Sequence, residues 1–162
     1  MNKTLRMLAV LLAALTLTLC FASCGGSKTS DDGYTFKAPN GTEIAISALH
    51  DDVIPKLGDY ESVDKTNSCG GFKGQDCTYF YKGFRVYTTP SDKGDVVNMI
   101  ELTDDSVSTP EGLTIGSAKD AVIKAMGNGT AVGENLSYEK GDMKLVFIFR
   151  DGAVTNIQYM AK

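Results

Sequence analysis

The chain has no tryptophan, one histidine and four prolines among its 162 residues. Scarcity of imidazole matters most, because any Ser-His-Asp or Cys-His site would have to be built on His50. That residue stands in Ala48-Leu49-His50-Asp51-Asp52, and no Gly-x-Ser-x-Gly elbow occurs anywhere. Gly70-Gly71 and Gly127-Asn128-Gly129 lack both the strand-loop-helix context and the lysine of a phosphate cradle. The acidic pairs Asp51-Asp52 and Asp104-Asp105 do not lie in an Asp-x-Asp-x-Asp-Gly calcium loop. The reading is therefore of a protein that is not an enzyme, with no cofactor and no metal site. Basic residues are also few, 16 against 20 acidic, and Lys3 and Arg6 fall in an N-terminal leader. That leaves 14 against 20, a balance that argues against nucleic acid or anionic lipid as the main partner. The rest of the composition is that of an ordinary globular chain of one or two small domains.

One long apolar run is present, Leu8 to Leu19, behind the positive Lys3 and Arg6. Its length suits a secretory signal and is too short for a membrane span. Phe21-Ala22-Ser23-Cys24-Gly25-Gly26-Ser27 follows, with small residues before the cysteine. This resembles the lipobox of bacterial lipoproteins, in which the thiol takes a diacylglyceryl group and the leader is cut just before it. Cys20 competes, but the bulky Leu19 in front of it suits the peptidase poorly. The resemblance implies a signal peptide over 1–23 and a membrane anchor at Cys24, outside the cytoplasm. Two acyl chains hold a protein stably where one does not. Residues 24–33 then form a polar tether, reaching at most about 30 Å at 3.3–3.6 Å per residue.

Cys69 and Cys77 remain, in a glycine-rich stretch from Asn67 to Cys77. An even pair in an exported chain is expected to form a disulfide, worth roughly 2–3 kcal/mol for so short a loop. Metal binding and redox exchange are the rival readings, with no second cysteine pair for the first and too wide a spacing for the second.

The chain also repeats itself. Gly41-Thr42-Glu43-Ile44 resembles Gly112-Leu113-Thr114-Ile115, and each is followed by a short helical pattern ending in Gly58 or Gly127. Lys82-Gly83 matches Lys140-Gly141, and Val96, Asn98 and Met99 match Val154, Asn156 and Ile157, at a shift of 58. Ser117 is placed as an N-cap with Asp120 three residues on. Met143, Leu145, Phe147 and Phe149 alternate along one strand face, and Asp151-Gly152 signals a hairpin. The predicted fold is α+β, with two tandem helix-plus-antiparallel-sheet repeats over 34–106 and 107–162. Pro55 is expected to shorten or kink the first helix unless it starts near Asp51 or Asp52.

Thr109 to Ser117, the helix, Gly127 and the tyrosine-containing hairpin ending in Phe-x-x-Gly-x-Val-x-x-Ile resemble the small BamE-type lipoprotein fold. In duplicated form the pattern is similar to the architecture of the β-lactamase-inhibitor proteins, and to uncharacterised lipoproteins of Gram-positive bacteria. The resemblance implies a fold of two helix-plus-sheet units with a concave sheet surface. It brings no binding motif that matches position by position.

Tyr79, Tyr81, Arg85 and Tyr87 share a parity across the Lys82-Gly83 turn, with Phe80, Phe84 and Val86 on the other. Tyrosine and arginine are enriched in binding hot spots, so these four are the candidate binding face. A phase shift at the turn would instead bury some of them, and aligning Tyr87 with Leu145 points that way. The function expected is a lipid-anchored, non-enzymatic module binding a protein or cell-envelope component. The alternative is a surface-displayed inhibitor of a hydrolase, or a small hydrolase.

Overall fold

The computed structural model describes residues 33–162; the expected signal peptide, Cys24 and nearly all of the tether lie outside the described residues. The chain first makes a small hairpin from β1 (Thr35–Lys37) and β2 (Glu43–Ala45), with Phe36 opposite Ile44 and both buried. Asn40 organises its turn. The Asn40 Oδ1 accepts from the Thr42 N–H, and its Nδ2 donates to the carbonyls of Lys56 and Leu57 at 3.0 and 3.2 Å. Those carbonyls end α1 (His50–Leu57) and have no partner within the helix, so a distant loop side chain closes it. Val53, Ile54 and Leu57 are its buried stripe. The helix starts at His50 and holds Pro55 within it, losing only the bond to the Asp51 carbonyl.

The second helix, α2 (Lys119–Met126), departs from the expected cap. Ala118, not Ser117, precedes its first turn, and no side chain caps it. The Ser117 Oγ accepts from the Thr114 N–H at 3.0 Å, and its carbonyl accepts from the Val154 N–H at 2.9 Å. Pairing with the sheet has taken the residue that would have capped the helix.

Both helices rest on one eight-stranded antiparallel sheet, so the α+β class is correct. Its strands are β3 (Ser62–Asn67), β4 (Gln75–Tyr81), β5 (Phe84–Ser91), β6 (Gly94–Leu102), β7 (Thr130–Val132), β8 (Asn135–Lys140), β9 (Met143–Arg150) and β10 (Ala153–Ala161). The order β3-β4-β5-β6-β10-β9-β8-β7 is two meanders joined through their last strands. At that seam Ile100 faces Tyr159, Glu101 faces Gln158 and Leu102 faces Ile157.

The core lies on the helix side. Phe36 packs its ring 5.1 Å from Phe84 and 5.7 Å from Tyr159, and Val86, Ile100, Leu145, Phe147 and Ile157 are fully buried. The Tyr138 hydroxyl donates to the Gly127 carbonyl at 3.0 Å, tying the end of α2 to β8. Asn98 is unpaired in the β5–β6 register and Thr155 in the β9–β10 register. These bulges turn Val97 and Val154 to the same face as Ile100 and Ile157, three residues on.

The expected disulfide is not formed. Cys69 and Cys77 are free thiols, the first exposed and the second buried. Cys77 lies opposite Lys65 inside the β3–β4 ladder, with its side chain on the helix face. Cys69 lies in the loop beyond the last pair, Asn67 and Gln75. A cross-strand bridge needs cysteines that face each other, and these do not.

Candidate interaction face

A two-residue turn decides which side chains face solvent. Lys82 and Gly83 connect β4 to β5, so Tyr81 pairs with Phe84, Phe80 with Arg85, Tyr79 with Val86 and Thr78 with Tyr87. Paired residues share a face, and every such pair joins an odd number to an even one. The four candidate residues are therefore split. Tyr79 and Tyr81 point into the helix-side core, while Arg85 and Tyr87 stay on the open face together with Phe80. Shared parity would have held only for a turn of odd length.

The open face has a polar centre that the candidate set did not include. Glu101, on β6, is 8% exposed although no described helix covers this side. One carboxylate oxygen accepts from the Arg85 guanidinium at 3.1 Å and from the Tyr87 hydroxyl at 2.7 Å. The other accepts from Asn156 at 2.6 Å and more weakly from Gln158 at 3.4 Å, both on β10. Donors from the two strands flanking β6 thus converge on one anion, across the seam on one side.

Burial pushes the Glu101 carboxyl up. The hydrogen bonds from Tyr87, Asn156 and Gln158, with the Arg85 charge, outweigh it and hold the group below its ordinary value. The same burial, followed by the bond to Glu101, raises the Tyr87 phenol. Both shifts keep the pair in one protonation state, a charged acceptor and a neutral donor. The Arg85 guanidinium also lies 5.2 Å from the centre of the Phe80 ring, with its side chain 40% exposed. Half-buried Met99, Met160, Val146 and Ile148 flank this centre. The Asn156 Oδ1 is buried and meets no donor among the described residues.

Glu101, Asn156, Gln158 and Phe80 are what sequence reasoning missed. The only available signal was an acid between Ile100 and Leu102 in an otherwise apolar run. Such a residue in a central strand must be paired, since burying a lone charge is costly.

His50 sits on the other side of the sheet. Its Nδ1 donates to the Asp51 carboxylate at 2.7 Å, and its Nε2 shares a hydrogen bond with the Tyr79 hydroxyl at 2.8 Å. A cavity of about 170 Å³ adjoins it, lined by Leu49, His50, Asp51, Lys93, Gly94 and Asp95. Burial, then Cys77, pushes the Tyr79 phenol up to about 12, which makes it a poor nucleophile at neutral pH. Asp51 is 97% exposed, so its contact with His50 is worth little. Among the described residues no three His, Cys, Asp or Glu side chains come together to hold a metal. No described helix is long and apolar enough to cross a membrane.

No family description, curated protein or solved structure matches this chain.

Proposed function

We propose that this protein is a non-enzymatic binding module, lipid-anchored through Cys24 outside the cytoplasmic membrane, whose open sheet face takes a protein or cell-envelope component. The observation that carries the reading is the Glu101 centre: a prearranged, desolvated set of polar groups within an apolar rim. Arginine, tyrosine and methionine in such a setting are the residue types that anchor interfaces. Fixing Arg85 and Tyr87 before binding lowers the ordering cost that association would otherwise carry.

The tandem repeat belongs to the same proposal, and paired hydrogen bonds support it. Ala38 N–H donates to Thr42 and Gly41 N–H to Ala38, as Thr109 donates to Leu113 and Gly112 to Thr109. Ser47 N–H donates to Val97 and Val97 N–H to Ala48, as Gly116 donates to Val154 and Val154 to Ser117. Leu49 bridges to Val96 before α1, and Ala118 to Ala153 before α2. These roles correspond at a shift of 57 along β6 and β10, one less than the shift of 58 read from residue identities. On that shift Glu101 corresponds to Gln158, its own partner across the seam. The axis relating the repeats then runs through the candidate centre, where one repeat carries an acid and the other an amide.

The rival reading as a small hydrolase would have to use His50, whose hydrogen-bond partners are Asp51 and the Tyr79 hydroxyl. Crosslinked capture from native membranes tests the proposal, comparing the native protein with an Arg85→Ala, Tyr87→Phe double variant of matched melting temperature. A specific partner that is lost with the variant is the expected outcome. A partner kept by the variant and lost with His50→Ala would overturn it.

A further inference from the structure

The loop joining β3 to β4, residues 68–74, has no acidic residue in a chain that has 20. It reads Ser-Cys-Gly-Gly-Phe-Lys-Gly, and Phe72 at its tip is 49% exposed. The loop is closed at its base by the Ser68 N–H donating to the Gly74 carbonyl at 3.1 Å. It therefore projects as a short finger carrying one aromatic ring and one ammonium group.

The described chain begins beside Met143, where a Cβ on Gly33 would meet the Met143 thioether at 2.7 Å. Met143 opens β9 and pairs with Ala161 at the end of β10, and Met160 pairs with Met99, so the end of β10 points toward the Gly94 end of β6. Gly94 at the start of β6 pairs with Ser91 at the end of β5, and Cys77 near the start of β4 pairs with Thr88. The register thus puts the 68–74 finger and the beginning of the described chain at the same end of the ladder. β9 and β4 are four strand spacings apart, about 19 Å. Sheet twist rotates the finger relative to β9, and Gly33 lies nine residues after Cys24.

We infer that the finger is a second contact with the bilayer surface, with Phe72 at the headgroup boundary and Lys73 drawn by anionic lipid. This rests on the proposed anchor at Cys24, nine residues before Gly33 and within about 30 Å of reach. One ring and one charge would not hold a free protein on a membrane. A tethered protein needs far less, because its effective concentration at the surface is already high. The acidic remainder of the domain is repelled, and the finger is the part that can approach. The contact would leave the open sheet face turned sideways and free for its partner.

Cys69 is exposed within the finger and provides the probe site, while Cys77 is buried. The lipidated full chain, labelled at Cys69 with an environment-sensitive dye, is floated with phosphatidylcholine vesicles with or without phosphatidylglycerol. The expected result is blue-shifted emission, quenched from within the bilayer, that Phe72→Ser abolishes without loss of flotation. Lys73→Gln is expected to weaken the contact about fivefold on the anionic vesicles only. A protein that floats while its dye stays in water overturns the contact and leaves the anchor intact. Failure to float overturns the anchor, and this inference with it. A shift that appears only with a protein partner overturns the inference and assigns Phe72 to an interface.

Discussion

Glu101→Ala is expected to lower the free energy of unfolding by about 2–4 kcal/mol in a urea titration. The substitution removes the acceptor of four donors at once and leaves the Tyr87 hydroxyl and the Asn156 amide unpaired in a crowded site. The cost stays below that of the most deeply buried ion pairs, because the part-exposed Arg85 can rehydrate. Glu101→Gln keeps the shape and loses the charge, so about 1–2 kcal/mol is expected there. Acid separates the two. Glu101 in the folded protein sits below its ordinary value, so its contribution is complete above the usual carboxylate range. That contribution is lost as pH falls through the lower folded value. The native protein should therefore lose stability more steeply in acid than Glu101→Gln does. Parallel acid curves would mean that the cluster is not an ionised centre.

Gly83→Val is expected to cost roughly 3–5 kcal/mol, summing backbone strain and overlap. Gly83 has φ 83°, a left-handed conformation that a β-branched residue resists. A Cβ there would collide with the Ser106 hydroxyl and come within 2.7 Å of Val107 and 2.8 Å of Asp104. Those neighbours belong to the segment that leaves β6, held by the Thr103 N–H donating to the Gly83 carbonyl at 2.9 Å. Gly41→Ala is the comparison, since Gly41 has φ 87° and nothing within 4 Å of the added carbon. It should cost only the strain, about 1 kcal/mol. Equal losses at the two sites would show that the turn is not packed as described. The turn matters beyond stability, because its two-residue length is what places Arg85 and Phe80 on the open face.

The helices, the glycine stops and the strongest strands are legible in the sequence because apolar periodicity is a local signal. Met143 to Arg150 alternates cleanly and forms β9. Ser62 to Asn67 and Thr130 to Val132 do not alternate, being polar or short edge strands, and only pairing with a neighbour makes them visible. The tyrosine stripe failed for a related reason. Parity counted along the chain does not survive a hairpin with an even loop, so Tyr79 and Tyr81 went to the core. Their neighbour Phe80, the more apolar residue, took the open face. Glu101 was hidden because its partners are 16 residues before it and 55 and 57 after it. The β5–β6 pairing brings the first to it and the seam between β6 and β10 the others. Export and an even number favour a bridge between Cys69 and Cys77, while the strand register puts one in the β4 ladder and the other in the loop beyond it.

The central claim is that the open sheet face, not the helix face, meets the partner. The most direct measurement places a photocrosslinking residue singly at Phe80 and Val146 on that face, and at Asp52 and Lys124 on the helices, in the native membrane. The account predicts one partner band from Phe80 and Val146 and none from the helix positions. A band from Asp52 or Lys124 alone would contradict it.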